Sequence, residues 1–305
     1  MNEHLWKLAL VVALSHAYRV VGRTVGPRWA GLITALPCST AVALVSGGSD
    51  RGVSYAVTMA DACWVGLAGA STLPLAFASA TVAGWGLVGT VALAVFSYFA
   101  VMLGVGMLAG PLGGNCPAAL VVLGLATAWA ARVVEPPASC LPRRRRLSPG
   151  QVFWLRTAVP ALCLAGVITL GERLGPSAAG YLGAFPGVTL TGLLLTSVES
   201  GPVASVRMAR ALPPGNWAMV AFLATFLEAA MGLGLWGGTL LGYAAALGCL
   251  GVVARLTASP AIPRLRACLA ARRQLRAEGA SQPIPIPAWP RNPRRFSPLV
   301  ESIAA

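Results

Sequence analysis

The sequence predicts an all-α integral membrane protein with about nine transmembrane helices in two homologous, inverted repeats. Three observations lead to this fold class: an apolar composition, an internal repeat and an uneven distribution of positive charge. Hydrophobic residues make up 56% of the 305 residues and charged residues only 10%. A soluble domain carries roughly 25% charged residues. So few charges cannot cover a water-facing surface, and we therefore expect the chain in a lipid bilayer.

Long apolar segments supply the predicted helices. A helix needs roughly 20 apolar residues to cross a bilayer, and segments such as 29–47, 85–108 and 236–254 approach or exceed that length. The complete set of predicted transmembrane helices is 5–22, 29–47, 64–82, 85–108, 117–134, 152–170, 178–197, 216–234 and 236–254. Two shorter stretches, 53–62 and 202–212, are predicted to be interfacial pieces.

An internal repeat is visible when the chain is aligned with itself at a shift of 149 residues. Thirteen of the 37 positions from 26 to 62 are identical in the two copies, whereas such a composition gives about four or five identities by chance. Both copies contain the element GPxxxGxxxxxP, at 26–37 and at 175–186. The first proline falls where a helix needs no N–H group. The second, Pro37 or Pro186, removes a hydrogen bond and should kink or break the helix.

The positive charges predict the orientation of the helices. With the N-terminus outside, 20 of the 23 Lys and Arg residues fall on the inner side and three, Lys7, Arg51 and Arg173, on the outer side, as the positive-inside rule requires. Five helices then precede the second copy, which enters the membrane from the opposite side. Inverted repeats of this kind are typical of secondary transporters. The inference requires the segment 117–134 to cross the membrane.

The chain is thereby divided into four parts: a first repeat with one extra helix at 1–134, a basic cytoplasmic loop at 135–151, a second repeat at 152–256 and a basic, proline-rich cytoplasmic tail at 257–305. We expect a multi-pass protein of the inner (plasma) membrane with a cytoplasmic C-terminus. The loop and the tail account for much of the net charge of +14 and should contact anionic lipid. Nucleic-acid binding is not indicated.

Motifs for catalysis or cofactor binding are not found. The seven cysteines include no CxxC pair and the chain has two histidines, so neither a disulfide framework nor a metal site is predicted. HExxH, GxSxG and the P-loop are missing from the sequence, and no glycine-rich nucleotide-binding motif follows a predicted strand. We therefore expect no enzymatic activity, no catalytic residues and no cofactor.

The element GPxxxGxxxxxP, followed by a second glycine-containing stretch, resembles a group of uncharacterised bacterial multi-pass membrane proteins that carry it once or twice. The resemblance covers about 24–80 and 173–230. It implies a multi-pass membrane topology and no particular substrate.

Candidate residues of a substrate pathway surround the two helix-breaking prolines, Pro37 and Pro186. The hydroxyl groups of Thr40, Thr189 and Thr191 follow these prolines. They can coordinate a substrate, or they can bond to the backbone groups that the prolines leave unpaired.

Glu228 lies about twelve residues, or roughly 18 Å, into the predicted helix 216–234. An ionisable side chain at that depth is costly and usually faces a cavity or a partner. Proton coupling or cation binding is one interpretation, and a structural hydrogen bond to a neighbouring helix is the other.

Three further charged residues are candidates for a gate or for interface anchors. Asp61 and Arg210 occupy equivalent positions in the two copies. Arg207 and Arg210 are three residues apart and share one helical face. The arginines can attract an anionic substrate or anchor the helix at the inner leaflet.

The predicted function is a transporter or permease for an unknown small solute, with its site at the interface of the two repeats. The alternative is a non-transporting membrane subunit or assembly factor of a larger complex. The first predicts a polar cavity between the copies that is reached by Pro37, Pro186 and Glu228. The second predicts a dry, apolar interface at that place.

Overall fold

The computed structural model describes residues 32–109, 114–133 and 148–258, and the regular secondary structure in these ranges is α-helical. The helices are α1 (Cys38–Arg51), α2 (Val53–Val82), α3 (Leu87–Leu108), α4 (Asn115–Arg132), α5 (Pro149–Leu174), α6 (Pro176–Gly183), α7 (Gly187–Glu199), α8 (Pro202–Gly215) and α9 (Trp217–Ala258). The predicted helix 5–22, the first glycine-proline pair, most of the basic loop 135–151 and the tail beyond 258 lie outside the described residues.

Five helical stretches are long and apolar enough to cross a membrane: Leu32–Arg51, Val53–Val82, Leu87–Leu108, Pro176–Glu199 and Pro202–Leu256. Large apolar side chains are exposed on the outer helices, among them Phe96, Leu103 and Met107 on α3 and Trp236 and Leu240 on α9. Water is a poor solvent for apolar surface of this extent. The helices therefore fit an integral membrane protein.

The long helix α2 lies at the centre of the packing and contacts α3, α4, α6 and α8. Its 30 residues correspond to about 45 Å, more than the roughly 30 Å hydrocarbon core. The stretch 53–62, which the sequence indicated as a separate interfacial piece, is the first part of this helix. No glycine or proline lies between Val53 and Cys63, so nothing interrupts the helical hydrogen bonds there.

In the second copy, the stretch that corresponds to α2 is formed by α8 and the first part of α9. Only Asn216 separates them, and its φ of −64° and ψ of −13° stay in the right-handed helical region. The stretch 202–212 is therefore also continuous with the helix that follows. The helical geometry of α9 is interrupted at Gly234, with φ 74° and ψ 176°, which coincides with the boundary between the predicted helices 216–234 and 236–254.

Pro37 and Pro186 break their helices. At each proline the helix is interrupted by a tight three-residue turn. The N–H of Cys38 donates to the carbonyl of Leu36 at 2.8 Å, and the N–H of Gly187 donates to the carbonyl of Phe185 at 2.9 Å. The φ and ψ values, −77° and 42° at Pro37 and −83° and 60° at Pro186, are near those of an inverse γ-turn. The two copies thus share one backbone conformation.

Helix α4 lies in sequence between the two copies of the repeat, which are called the two halves from here on. The Nδ2 of Asn115, at its start, donates to Asp61 Oδ2 of α2 at 2.8 Å, and further along Ala126 and Ala130 pack with Leu75 of α2. The two helices therefore run in the same direction. Its 18 residues span about 27 Å, although α4 is not one of the five apolar stretches described above.

The end of α4 contacts the second half of the chain. The carbonyl of Ala130 accepts a hydrogen bond from Arg210 Nε, and Thr127 Oγ1 accepts one from Trp217 Nε1, both at 3.3 Å. A later residue of α8 and α9 thus meets an earlier residue of α4. The helix pair α8–α9 therefore runs opposite to α4, and hence opposite to α2.

Glycines allow the closest approaches between the two halves. A Cβ on Gly66 would lie 2.6 Å from Ala184 Cβ, and a Cβ on Gly215 would lie 2.7 Å from Ala35 Cβ. Gly66 and Gly215 are separated by 149 residues, and so are Ala35 and Ala184. The halves therefore touch through two equivalent contacts at which a single methyl group has no room.

Substituting Gly66→Ala should destabilise the protein by about 2 kcal/mol, because overpacking at a tight contact costs roughly 1–3 kcal/mol. Gly124→Ala is the matched control: Gly124 lies in α4 with no atom within 4 Å of an added Cβ. There the higher helix propensity of alanine should raise stability. Thermal unfolding in detergent measures both, and an equal response of the two variants would contradict this account of the contact.

Candidate functional site

A small pocket lies where the two broken helices meet. It is lined by Thr34, Ala35, Leu36, Pro37, Cys38, Ser39, Thr40, Leu67, Ala70, Ala184, Pro186, Val188, Thr189, Asn216 and Met219. Its volume is about 50 Å³, whereas one water molecule needs roughly 10–15 Å³ by this measure. The pocket therefore has room for a few water molecules or for a small ion.

The lining of the pocket is built from equivalent positions of the two halves. Each of the six lining residues from the second half has its counterpart 149 residues earlier in the lining: Ala35 and Ala184, Pro37 and Pro186, Ser39 and Val188, Thr40 and Thr189, Leu67 and Asn216, Ala70 and Met219. The backbone positions correspond while several side chains differ. The lining therefore contains both members of six equivalent pairs, and its chemistry differs between the two halves.

Two reciprocal hydrogen bonds join the breaks. Thr40 Oγ1 donates to the carbonyl of Gly183 at 3.1 Å, and Thr189 Oγ1 donates to the carbonyl of Thr34 at 3.4 Å. In an unbroken helix these carbonyls would accept from the N–H groups of Cys38 and Gly187, which bond elsewhere. Each half thus supplies a hydroxyl group to a carbonyl that the break in the other half frees.

Two helix N-termini begin at the pocket. The N-cap residues of α1 and α7, Pro37 and Pro186, form no side-chain capping bond. The carbonyls of these prolines accept from the N–H groups of Ala41 and Leu190, both at 2.8 Å. The N–H groups of the first turn of each helix point back toward the break, where the helix dipole places partial positive charge.

Asn216 is the most polar side chain in the lining. It is 8% exposed, and its Nδ2 donates to Ser71 Oγ of α2 at 3.2 Å. Asn216 was not among the residues that the sequence indicates, because it falls at the start of the predicted helix 216–234, where asparagine is a common N-cap. The available signal was its counterpart, Leu67: a polar residue replaces an apolar one within the repeat.

The structure brings four of the predicted pathway residues together. Pro37, Thr40, Pro186 and Thr189 line the pocket. Thr191 does not, because its Oγ1 donates to the carbonyl of Gly187 in its own helix at 2.7 Å.

Glu228 is exposed on α9 and is not part of the pocket lining. It lies six residues before the kink at Gly234, or about 9 Å along the helix. The depth inferred from the sequence assumed a helix that begins at residue 216, whereas the helical path begins at Pro202. The pocket and Glu228 are therefore separate features of the fold.

The charged candidates lie at the two ends of α4. Asp61 is at its N-terminal end, beside Asn115, and Arg210 is at its C-terminal end, where its guanidinium group donates to a carbonyl of the last turn. Both charges have the sign that stabilises the nearer end of the helix dipole. Arg207 is exposed on α8. These side chains do not line the pocket.

Comparison with protein-family models, curated proteins and solved structures gave no match. Within the described residues, no group of three or more His, Cys, Asp or Glu side chains is placed to hold a metal ion. The functional argument therefore depends on the geometry of the pocket.

Replacing Thr40 by valine should lower stability by about 1 kcal/mol, because the buried carbonyl of Gly183 loses its partner. For a chain of this size that corresponds to a fall in Tm of about 2–4 °C. Thr191→Val is the control, since Thr191 is equally buried but bonds within its own helix. If Thr191→Val lowers stability as much as Thr40→Val, the hydrogen bond between the halves contributes no more to stability than one within a single helix.

Proposed function

We propose that the protein is a transporter or permease for a small solute, built from two inverted repeats, with its substrate site in the pocket between Pro37 and Pro186. The observation that carries the proposal is this pocket, formed where two equivalent helix breaks meet. In lipid, a broken helix is tolerated where the freed backbone groups face protein or a water-filled cavity. Inverted-repeat transporters use such paired breaks to form their substrate sites.

The directions of the helices support the inverted arrangement. Helix α2 runs parallel to α4, whereas α8 and the first part of α9, which correspond to α2 in the second copy, run antiparallel to it. The bonds between the breaks are reciprocal, from Thr40 to Gly183 and from Thr189 to Thr34, which is the pattern of two units related by a two-fold axis.

The arrangement of the helices also supports nine crossings of the membrane. Helix α4 extends from the level of Asp61 to the level of Arg210, so it can serve as the fifth crossing that the inversion requires. With the N-terminus outside, Asp61 then lies near the outer surface and Arg210 near the inner surface. The basic loop and the C-terminal tail follow on the cytoplasmic side, where anionic lipid attracts their arginines.

The topology can be tested with single cysteines at two equivalent exposed positions, Arg51→Cys and Ser200→Cys, on a background without the seven native cysteines. Both residues precede a glycine with nearly the same φ and ψ, Gly52 and Gly201. We expect a membrane-impermeant thiol reagent to label position 51 only from outside and position 200 only from inside. Labelling of both from one side would refute the inverted arrangement.

Transport can be tested with the purified full chain in lipid vesicles, using a panel of small anions, cations and neutral solutes. We expect at least one class to cross faster than in protein-free vesicles. Pro186→Ala should reduce this flux about tenfold or more, because a continuous helix would close the break. Pro74→Ala is the matched control, since Pro74 is buried within α2 without breaking it and does not line the pocket.

If no solute of the panel crosses faster than in empty vesicles, although the protein is folded in them, the transporter proposal fails. The alternative, a non-transporting subunit of a larger membrane complex, then takes its place. If Pro74→Ala and Pro186→Ala lose the same flux, the loss does not come from closing the helix break, and transport does not depend on the breaks.

A further inference from the structure

The two broken helices cover opposite ends of the pocket. In the second half, α6 runs along α2 in the same direction before its break, with Gly180 against Ala62 and Ala184 against Gly66. The residues of α2 that line the pocket come later in that helix. Helix α6 therefore covers the end of the pocket that is nearer to the start of α2.

The first half covers the other end. Gly215 of α8 lies against Ala35 and Leu32, which precede the first break. The residues of the same helical path that line the pocket come after Gly215. The segment before the first break therefore lies at the end of the pocket nearer to Arg210, and α6 lies at the end nearer to Asp61. They are called the Arg210 end and the Asp61 end.

Two side-chain donors hold α6 in place at the Asp61 end. Cys63 Sγ donates to the carbonyl of Gly180 at 3.3 Å, and Tyr98 Oη of α3 donates to the carbonyl of Tyr181 at 2.5 Å. Tyr98 is fully buried, and a buried tyrosine hydroxyl needs such a partner. Gly69 of α2 makes room for Tyr98, since a Cβ there would lie 2.6 Å from the Tyr98 carbonyl oxygen.

Aromatic contacts add to these hydrogen bonds. Phe185 directly precedes the second breaking proline. Its ring meets the ring of Tyr98 edge-on, with 4.9 Å between the centroids, and stacks with the ring of Phe99 at 6.1 Å. Aromatic pairs in such geometries attract each other beyond the effect of the area that they bury. Helix α3 thus holds the second break through one hydrogen bond and two ring contacts.

The first half lacks these groups at its equivalent positions. Each has a different counterpart 149 residues away: Cys63 and Leu212, Tyr98 and Leu247, Phe185 and Leu36, Gly69 and Ala218. A leucine offers neither a hydrogen-bond donor nor a ring, and Leu247 is 56% exposed, so it does not pack on the first break. The Arg210 end is therefore without the donors and rings that hold the Asp61 end.

We propose that Tyr98 is a latch that keeps the pocket closed at the Asp61 end, so that the pocket opens preferentially at the Arg210 end. The inference rests on the proposed function, because it concerns the two access routes of the same pocket. In inverted-repeat transporters one repeat moves against the other around a fixed site. The route that is closed by more contacts has the smaller open population.

Tyr98 does not line the pocket and is a positioning residue that acts through Tyr181 and Phe185. With the N-terminus outside, the Asp61 end is the outer end. The protein then rests with its pocket closed to the outside and accessible from the cytoplasm.

Hydrogen exchange of the full chain in detergent compares the two ends directly. The equivalent segments 33–36 and 182–185 each precede a breaking proline. We expect the amides of 182–185 to exchange at least tenfold more slowly, because they are released only when the bonds to Cys63 and Tyr98 open. Equal rates in the two segments would overturn the latch.

Access to the pocket is measured with one cysteine, Ser39→Cys, at a lining position. Serine replaces Cys63, which keeps a donor for Gly180, and alanine replaces the other native cysteines. A membrane-impermeant thiol reagent is applied to intact cells and to inverted vesicles. The side that labels Arg51→Cys is the side of the Asp61 end, since Arg51 lies next to the start of α2. We expect position 39 to be labelled at least tenfold faster from the opposite side.

Variants at Tyr98 test the latch itself. Tyr98→Phe keeps the ring and should raise labelling from the Asp61 side about threefold to tenfold, the factor expected for one lost hydrogen bond. Tyr98→Leu, which copies Leu247, also removes the ring contacts and should raise it further. Phe77→Leu is the matched control, because Phe77 is equally buried but lies in α2 beyond the lining residues. There the labelling rate should stay within about twofold.

Thermal unfolding in detergent shows that each variant is folded. If Phe77→Leu raises labelling as much as Tyr98→Leu, looser packing in general opens the pocket, and Tyr98 is no latch. Equal labelling from the two sides, or none, with Tyr98 intact would also overturn the proposal, as would an unchanged rate in both Tyr98 variants.

The outcomes separate this inference from the function on which it rests. Unequal labelling that responds to Tyr98, in a protein that carries no solute into vesicles, would keep the latch and overturn the transporter proposal. Solute flux combined with equal labelling from both sides would keep the transporter proposal and overturn the latch.

Discussion

The fold depends on how two proline breaks are accommodated inside apolar helices. At each proline the chain leaves the helical path, and the carbonyl of Thr34 or Gly183 loses its helical N–H partner. The carbonyl freed in one half accepts a threonine hydroxyl from the other half. An unpaired buried carbonyl costs a few kcal/mol, so each break is stable only while the other half is in place. The pocket is a consequence, since two turns that project from their helices cannot pack as closely as two helices.

Helix α4 contacts both halves of the chain. It runs parallel to α2 and antiparallel to α8. Its two ends therefore meet equivalent positions of the two halves, and these positions carry opposite charges. Asp61 lies at the N-terminal end of α4 and Arg210 at its C-terminal end, and each carries the charge that the nearer end of the helix dipole attracts.

The approximate symmetry determines the shape of the pocket, while the departures from it determine the chemistry. The prolines and threonines are the same in the two halves, and they form the breaks and the bonds between them. The lining pairs that differ are Ser39 and Val188, Leu67 and Asn216, and Ala70 and Met219. They place a hydroxyl group on one wall and an amide group on the other.

The two breaks were predictable from the sequence, because proline lacks the N–H of a helical hydrogen bond and both prolines occupy the same position of the repeated element. Proline alone is not decisive, since Pro74 lies inside α2 without breaking it. The membrane class followed from composition. Thr40 and Thr189 could be identified as candidates because they follow the prolines. Their actual partners could not, since a bond between residues 143 or 155 positions apart depends on how the halves cross.

Glu228 and Asn216 show the limit of such reasoning. The depth of Glu228 was counted from a helix start at residue 216, but α8 continues into α9 through Asn216, so the helical path begins at Pro202. Asn216 looked like an ordinary helix cap because asparagine is a common N-cap residue.

The sequence by itself therefore determined the apolar helices, their breaks and the repeat, because these follow from local backbone chemistry and composition. Only the tertiary structure decided which groups meet at the breaks, which residues contact the two ends of α4 and which side chains line the pocket. Those features depend on the mutual packing of distant helices, in which contacts through glycines such as Gly66 and Gly215 set how closely the two halves approach.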